Sequence, residues 1–148
     1  MLIIRRHLKP CYGYVEQVEI DWCPRCDDDT LPRNAHILQW ADELMEAMDS
    51  FGRPIRMESD VTKQRLADAG FVDIKEEAIR LPLSSWPTER HAGDVGRWFN
   101  LGICQACQPL SLAPLGRCHG RTPDVIYDLT KKVKAELDGN TVHAYCTL

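Results

Sequence analysis

The sequence has no run of about 18 apolar residues, so no segment of it is expected to cross a membrane as a helix. It has no surplus of positive charge either: 18 Lys+Arg stand against 22 Asp+Glu, a formal −4. No basic stripe is concentrated anywhere, and a nucleic-acid partner is therefore not expected. Nine glycines are present but no Gly-x-Gly, the turn through which many α/β sheets let backbone approach a cofactor. Internal repeats, low-complexity tracts and long linkers are absent, so a single domain is expected. Apolar residues at 44% and charged residues at 27% are those of an ordinary globular chain.

What is present begins with seven cysteines. Met1 to Ile4 are apolar and precede Arg5-Arg6-His7, the reverse of a secretory signal. An odd cysteine count without such a signal reads as reduced thiols in the cytosol or nucleus rather than as a disulfide framework.

Periodicity gives the element order. Arg5 to Lys9 reads as the last turn of a helix stopped by Pro10. Tyr14–Ile20 reads as a strand with Tyr14, Val18 and Ile20 on one face, followed by a polar loop, Asp21 to Arg33, holding Asp27-Asp28-Asp29. Ile37, Leu38, Ala41, Leu44, Met45 and Met48 recur at helical spacing, with Asn34 as N-cap and Gly52 and Pro54 closing the element. A shorter helix from about Asp60 to Ala69 ends at Gly70. A strand over Phe71–Leu83 changes parity, which predicts a bulge near Glu76–Ala78. After Trp86-Pro87 a helix places Val95, Trp98, Phe99, Ile103 and Ala106 on one stripe. The clearest helix has Thr122 as N-cap and Pro123 at its first position, buries Val125, Ile126, Leu129, Val133 and Leu137, and stops at Gly139. Thr141–Leu148 alternates as a final strand, and interleaved strands and helices make the class α/β or α+β.

Leu8-Lys9-Pro10 followed by Gly13-Tyr14-Val15-Glu16 carries a resemblance, which continues through Asp21-Trp22-Cys23-Pro24-Arg25-Cys26-Asp27-Asp28-Asp29-Thr30-Leu31. It goes on through Ala69-Gly70-Phe71, Leu81-Pro82-Leu83, Trp86-Pro87, Gly96-Arg97-Trp98 and His143-Ala144-Tyr145. In this order the motifs resemble the fungal LaeA-like (UMTA-like) branch of the class I S-adenosylmethionine-dependent methyltransferases. The resemblance implies a partial Rossmann-like α/β sheet: Tyr14–Ile20 as the fifth strand, Phe71–Leu83 as the sixth, and the last segment as the antiparallel seventh, with lid helices. The half that binds S-adenosylmethionine would precede Met1, so the chain is expected to be a truncated methyltransferase. Where relatives have two glycines after Leu-Lys-Pro, this chain has Cys11-Tyr12-Gly13, and the turn then needs a positive φ elsewhere or a shifted register.

The family implies methyl transfer to a small-molecule acceptor, an in-line displacement that needs a base only if the acceptor must lose a proton. The resemblance makes the segment from Trp86 to Leu115 a lid, with Trp86, Trp98 and Phe99 as acceptor-pocket walls and His91 as the base. The alternative is that Trp98 and Phe99 pack on a helix stripe and His91 is solvated. Glu16 and Glu19 fall on opposite faces of the expected strand, and the Asp27–Asp29 run reads as a solvated loop. Cys23-Pro24-Arg25-Cys26 and Cys104-Gln105-Ala106-Cys107 are both C-x-x-C, the rival reading being a four-cysteine zinc site despite their wide separation. LaeA-like proteins are also associated with velvet-type regulators. An exposed sheet edge is thus a second expected role, pairing with another protein or with a second copy.

Overall fold

A computed structural model of the protein describes residues 6–148; Met1 to Arg5, on which the leader reading and the start of the first helical turn fall, lie outside the described residues. The elements are β1 (Asp21–Arg25), α1 (His36–Ser50), α2 (Ser59–Asp68), β2 (Arg80–Pro82), α3 (Arg90–Cys118), α4 (Pro123–Asp138) and β3 (Tyr145–Thr147). The three strands form one sheet in the order β1-β3-β2. β3 is antiparallel to both neighbours, with Asp21 opposite Thr147 and Arg25 opposite Tyr145 on one side, and Arg80, Leu81 and Pro82 opposite Thr147, Cys146 and Tyr145 on the other. β1 and β2 therefore point the same way, and their carboxyl ends share one rim of the sheet.

The core lies between the sheet and α1, α3 and α4. α1 contributes Ile37, Trp40, Ala41, Leu44 and Met45, α3 contributes Ile103 and Cys107, and α4 contributes Leu129, Val133 and Leu137. Leu83, Ala144 and Cys146 close it from the sheet side. Each large apolar side chain buried in this way stabilises the fold by about 1.5–3 kcal/mol before entropy is counted. Trp40 is fully buried, and its indole N–H donates to Ser111 Oγ at 2.8 Å, so the α1–α3 contact leaves no orphaned donor. Trp22 meets Trp40 edge-on at 6.1 Å and ties β1 to α1.

Several expectations need correction. Tyr14–Ile20 is not a strand: it lies outside the sheet, with Tyr14 81% and Val18 62% exposed, and β1 begins at Asp21. Alternation alone cannot make a strand where no neighbour supplies the ladder hydrogen bonds. Likewise only Arg80–Pro82 of the expected Phe71–Leu83 strand is regular, extended by a backbone pair between Ile79 and Leu148 at 2.8 Å in each direction. Val72 is 81% exposed ahead of it.

α1 is not capped by Asn34. Its N-cap is Ala35, which has no side-chain acceptor, and Glu136 from α4 substitutes: its carboxylate accepts from the backbone N–H groups of His36 at 2.8 Å and Ile37 at 3.0 Å. Val125 faces outward from α4, while Ile126, Leu129, Val133 and Leu137 are buried as expected. Thr122 occupies the N-cap without a side-chain cap bond.

α3 is longer than its sequence suggests, running through Pro109 and Pro114 although neither proline can donate to the carbonyl four residues back. Its buried face is Gly93, Gly96, Ile103, Cys107, Ser111, Pro114 and Leu115, which rotates the expected stripe so that Trp98 points outward at 71% exposure. Glycines set this rotation. A Cβ on Gly96 would run into the Ser84 carbonyl, so its absence lets α3 press against the strand-to-helix turn. In the Cys11-Tyr12-Gly13 turn, Cys11 takes the positive φ (67°), answering the loss of the second glycine.

Candidate functional site at the carboxyl ends of the parallel strands

Three segments meet where β1 and β2 end. The loop after β1 brings Asp27, Asp28 and Thr30; the turn after β2 brings Trp86; and the residues entering β3 bring His143 and Tyr145. In open α/β sheets the crevice beyond the carboxyl ends of the strands is the usual ligand position.

Asp28 organises the site. Its carboxylate accepts from His143 Nδ1 at 2.5 Å, from Thr30 Oγ1 at 2.8 Å and backbone N at 3.2 Å, and from Cys26 Sγ at 3.0 Å. These donors, with the Cys26 thiol first, then His143 and Thr30, hold the Asp28 carboxyl far below the usual carboxylate range. Thr30 also accepts from the His143 backbone N–H at 2.8 Å, fixing the loop to the chain just before β3.

The His143 ring stacks on Trp86 at 5.0 Å between centroids and 26° between planes. Trp86 is held in turn by its indole N–H, which donates to the Ala144 carbonyl at 3.1 Å. Beside this pair, Asp27 accepts from the Tyr145 hydroxyl at 2.8 Å and bridges Arg80 at 2.6 Å, while the Arg80 guanidinium lies 4.7 Å from the centre of the Tyr145 ring. The Asp27 carboxylate, which accepts a hydrogen bond from the protonated phenol, pushes the Tyr145 hydroxyl up, and desolvation adds to this.

Of the residues expected to line the acceptor pocket or act as its base, only Trp86 reaches this cluster; Cys26 of the first C-x-x-C and Asp27 and Asp28 of the acidic run also belong to it. His91 sits in the first turn of α3, where its backbone N–H is capped by Glu89 at 2.8 Å, and its side chain is exposed. Trp98 is exposed, and Phe99 packs against the main core. Glu16 and Glu19 are exposed ahead of β1. Cys23 is exposed and Cys107 buried, Cys26 belongs to Asp28, and Cys104 lies beside Asn100 on α3. Among the described residues no group of three or more His, Cys, Asp or Glu side chains is placed to hold a metal ion. Burial pushes the Cys104 and Cys107 thiols up. The Asp28–His143 pair went unselected because 115 residues separate its members. Its only sequence signal is that both belong to segments carrying the LaeA-like resemblance.

Comparison with known proteins bears on those segments directly. The chain is 65% identical over 144 residues to the protein-methionine methyltransferase laeA of Chaetomium globosum, which covers 97% of this chain and 45% of that protein. It is 43% identical over 147 residues to the secondary metabolism regulator LAE1 of Pyricularia oryzae, covering 98% of this chain and 44% of the relative. The secondary metabolism regulator laeA of Fusarium oxysporum f. sp. lycopersici is 35% identical over 142 residues, covering 96% and 45%. The chain belongs to the fungal LaeA-like family. It spans about half the length of the curated relatives it matches. No family model matches it, and no solved structure does.

LaeA-like resemblance implies S-adenosylmethionine, and the glycines test whether this chain holds a cradle for it. A Cβ on Gly93 would meet the Pro87 carbonyl at 3.1 Å and one on Gly96 would meet Ser84, so both serve helix packing. Gly52, Gly102 and Gly120 face open space. These glycines do not fit a methyl-donor cradle. No helix among the described residues is long and apolar enough to cross a membrane.

Proposed function

We propose that this chain is the C-terminal, acceptor-side portion of a LaeA-like methyltransferase acting in fungal secondary metabolism. The observation that carries the reading is the convergence of three family-like segments, Asp27-Asp28, Trp86-Pro87 and His143-Ala144-Tyr145, on one rim of the sheet. The strand order supports it. An antiparallel β3 between two parallel strands is what an antiparallel seventh strand beside a fifth and a sixth would give. In this reading S-adenosylmethionine is bound by a preceding half, and the acceptor enters beyond β1 and β2. The acceptor is a small molecule or, by analogy with the name of the Chaetomium relative, a protein methionine. The cytosol or nucleus is the compartment. The test is titration calorimetry of S-adenosylmethionine and its demethylated product, first with this chain and then with the chain plus the unmatched half of the Chaetomium protein. Binding and methyl transfer are expected only in the mixture. Micromolar binding by the chain alone would overturn the division of labour, and a mixture that transfers nothing would overturn the methyltransferase reading.

A second reading is an interaction protein without catalysis. It is favoured by the apolar segment ahead of β1, where Tyr14, Val18 and nearby Val72 are 81%, 62% and 81% exposed. Such side chains next to a sheet edge suit strand addition by a velvet-type partner or a second copy. Light scattering separates the two cases, since a stable monomer speaks against self-association.

A further inference from the structure

The half-exposed imidazole of His143 is left with one free nitrogen. Nδ1 is engaged by Asp28, an acceptor-only carboxylate, so Nδ1 carries a proton and, in the neutral ring, Nε2 carries the lone pair. Among the described residues Nε2 has no hydrogen-bond partner. Trp86 fixes the ring plane by stacking, and Asp28 is itself fixed by Thr30 and Cys26. A histidine whose tautomer and orientation are both set from behind is the arrangement of a general base. We propose that His143, oriented by Asp28 and stacked on Trp86, is the proton-accepting residue of a binding site for a neutral phenol.

The choice of phenol follows from the surroundings. Asp27 and Asp28 disfavour an anion, and Arg80 is paired to Asp27 over the Tyr145 ring. Trp86 and His143 stack on each other, and the half-exposed part of the imidazole left uncovered suits a flat aromatic ligand. A phenol ionises near about 10 and imidazole near about 6.5, a gap that a hydrogen-bonded pair can share, whereas an aliphatic alcohol is a far weaker acid. The ligand's O–H donates to Nε2; if the proton transfers, the O–H pair stays on the phenolate oxygen and His143 becomes an imidazolium paired with Asp28. A methionine thioether has no proton to give, so the site describes a different acceptor class from the one named for the Chaetomium relative. The inference deepens the acceptor-side reading but is testable without a methyl donor.

The experiment is long-range proton–nitrogen NMR on the full chain with labelled histidines, His143 being assigned through His143→Gln. The expected spectrum shows Nδ1–H and an unprotonated Nε2 that shifts saturably on adding 4-methylphenol. Methoxybenzene, the same ring without the proton, should bind about tenfold more weakly, the worth of one hydrogen bond. Asp28→Asn should release the tautomer and cost a similar factor, with circular dichroism checking its fold. N-acetyltyrosinamide distinguishes the sources: binding equal to 4-methylphenol indicates a protein tyrosine, and much weaker binding a free phenol. An Nε2–H tautomer in the unmodified chain, or equal affinity for methoxybenzene, would overturn the proposal, whatever the fate of the variants. Phenol binding in a chain whose reconstituted mixture transfers no methyl would sink the methyltransferase reading and leave this site standing.

Discussion

Two glycines on the same helix should respond in opposite directions to the same substitution. Gly96 and Gly102 both lie inside α3, where replacing glycine by alanine ordinarily stabilises by up to about 1 kcal/mol through backbone entropy. At Gly102 a Cβ meets nothing within 4 Å, so Gly102→Ala should realise that gain. At Gly96 the new Cβ collides with the Ser84 carbonyl and approaches Pro82 Cβ to 3.1 Å. The obstruction is backbone, which cannot swing away as the end of a long side chain can. Either α3 shifts outward, or Pro82–Ser84 leaves its place beside β3; overpacking of this kind costs about 1–3 kcal/mol beyond the entropic gain. Gly96→Ala should therefore destabilise by roughly 1–3 kcal/mol net and Gly102→Ala should stabilise by up to about 1. Urea denaturation followed by circular dichroism measures both, and a thermal melt should separate the variants by several degrees, at about 2–4 °C per kcal/mol for a chain of this size. Equal midpoints would mean that α3 does not seat on the Ser84 turn, and the rotation of its buried face would lose its explanation.

Other perturbations probe the helix cap, the acidic cluster and the thiols. Glu136→Ala removes the acceptor for the first N–H groups of α1 and should cost about 1–2 kcal/mol in urea unfolding, with Glu136→Gln costing less because one carbonyl remains. Asp28 is held below its unfolded value, so its stabilisation is complete above about pH 4 and fades as pH falls through its folded value. Asp28→Asn should flatten the decline in urea midpoint between about pH 4 and pH 2, and an unchanged slope would show that the carboxylate is not held by His143 and Thr30. Cys11 and Cys23 are exposed and should react with Ellman's reagent in the folded chain, whereas Cys107 is buried and burial pushes Cys146 up to about 12. Mass spectrometry of the labelled protein should find those two modified only after urea is added.

Helices were legible from sequence because their signal is local. Ile37 to Met48 and Ile126 to Leu137 repeat at helical spacing, and both helices formed within a residue or two of the expected ends. The strands were not, because a strand is stabilised by what lies beside it. Tyr14–Ile20 alternates as well as Thr141–Leu148 does, yet only the latter has neighbours on both sides among the described residues. The cap on α1 was hidden for the same reason: Ala35 looks like no cap at all until Glu136 arrives from the far end of the chain.

The site follows the same rule one level up. His91 attracted attention because it stands near Trp86 in sequence, within a segment that the resemblance makes a lid. In the fold Trp86 instead turns toward β3, donates to the Ala144 carbonyl and meets His143. Antiparallel pairing makes this unavoidable: with Pro82 opposite Tyr145, the residues leaving β2 run alongside those entering β3. Arg25 opposite Tyr145 places the Asp27–Asp28 loop at the same level on the other flank. Register alone thus brings an acid, an imidazole and an indole together from three distant segments. A single slip at either ladder would part them, so variants that weaken β3 pairing should lose the His143 tautomer before they lose helical content.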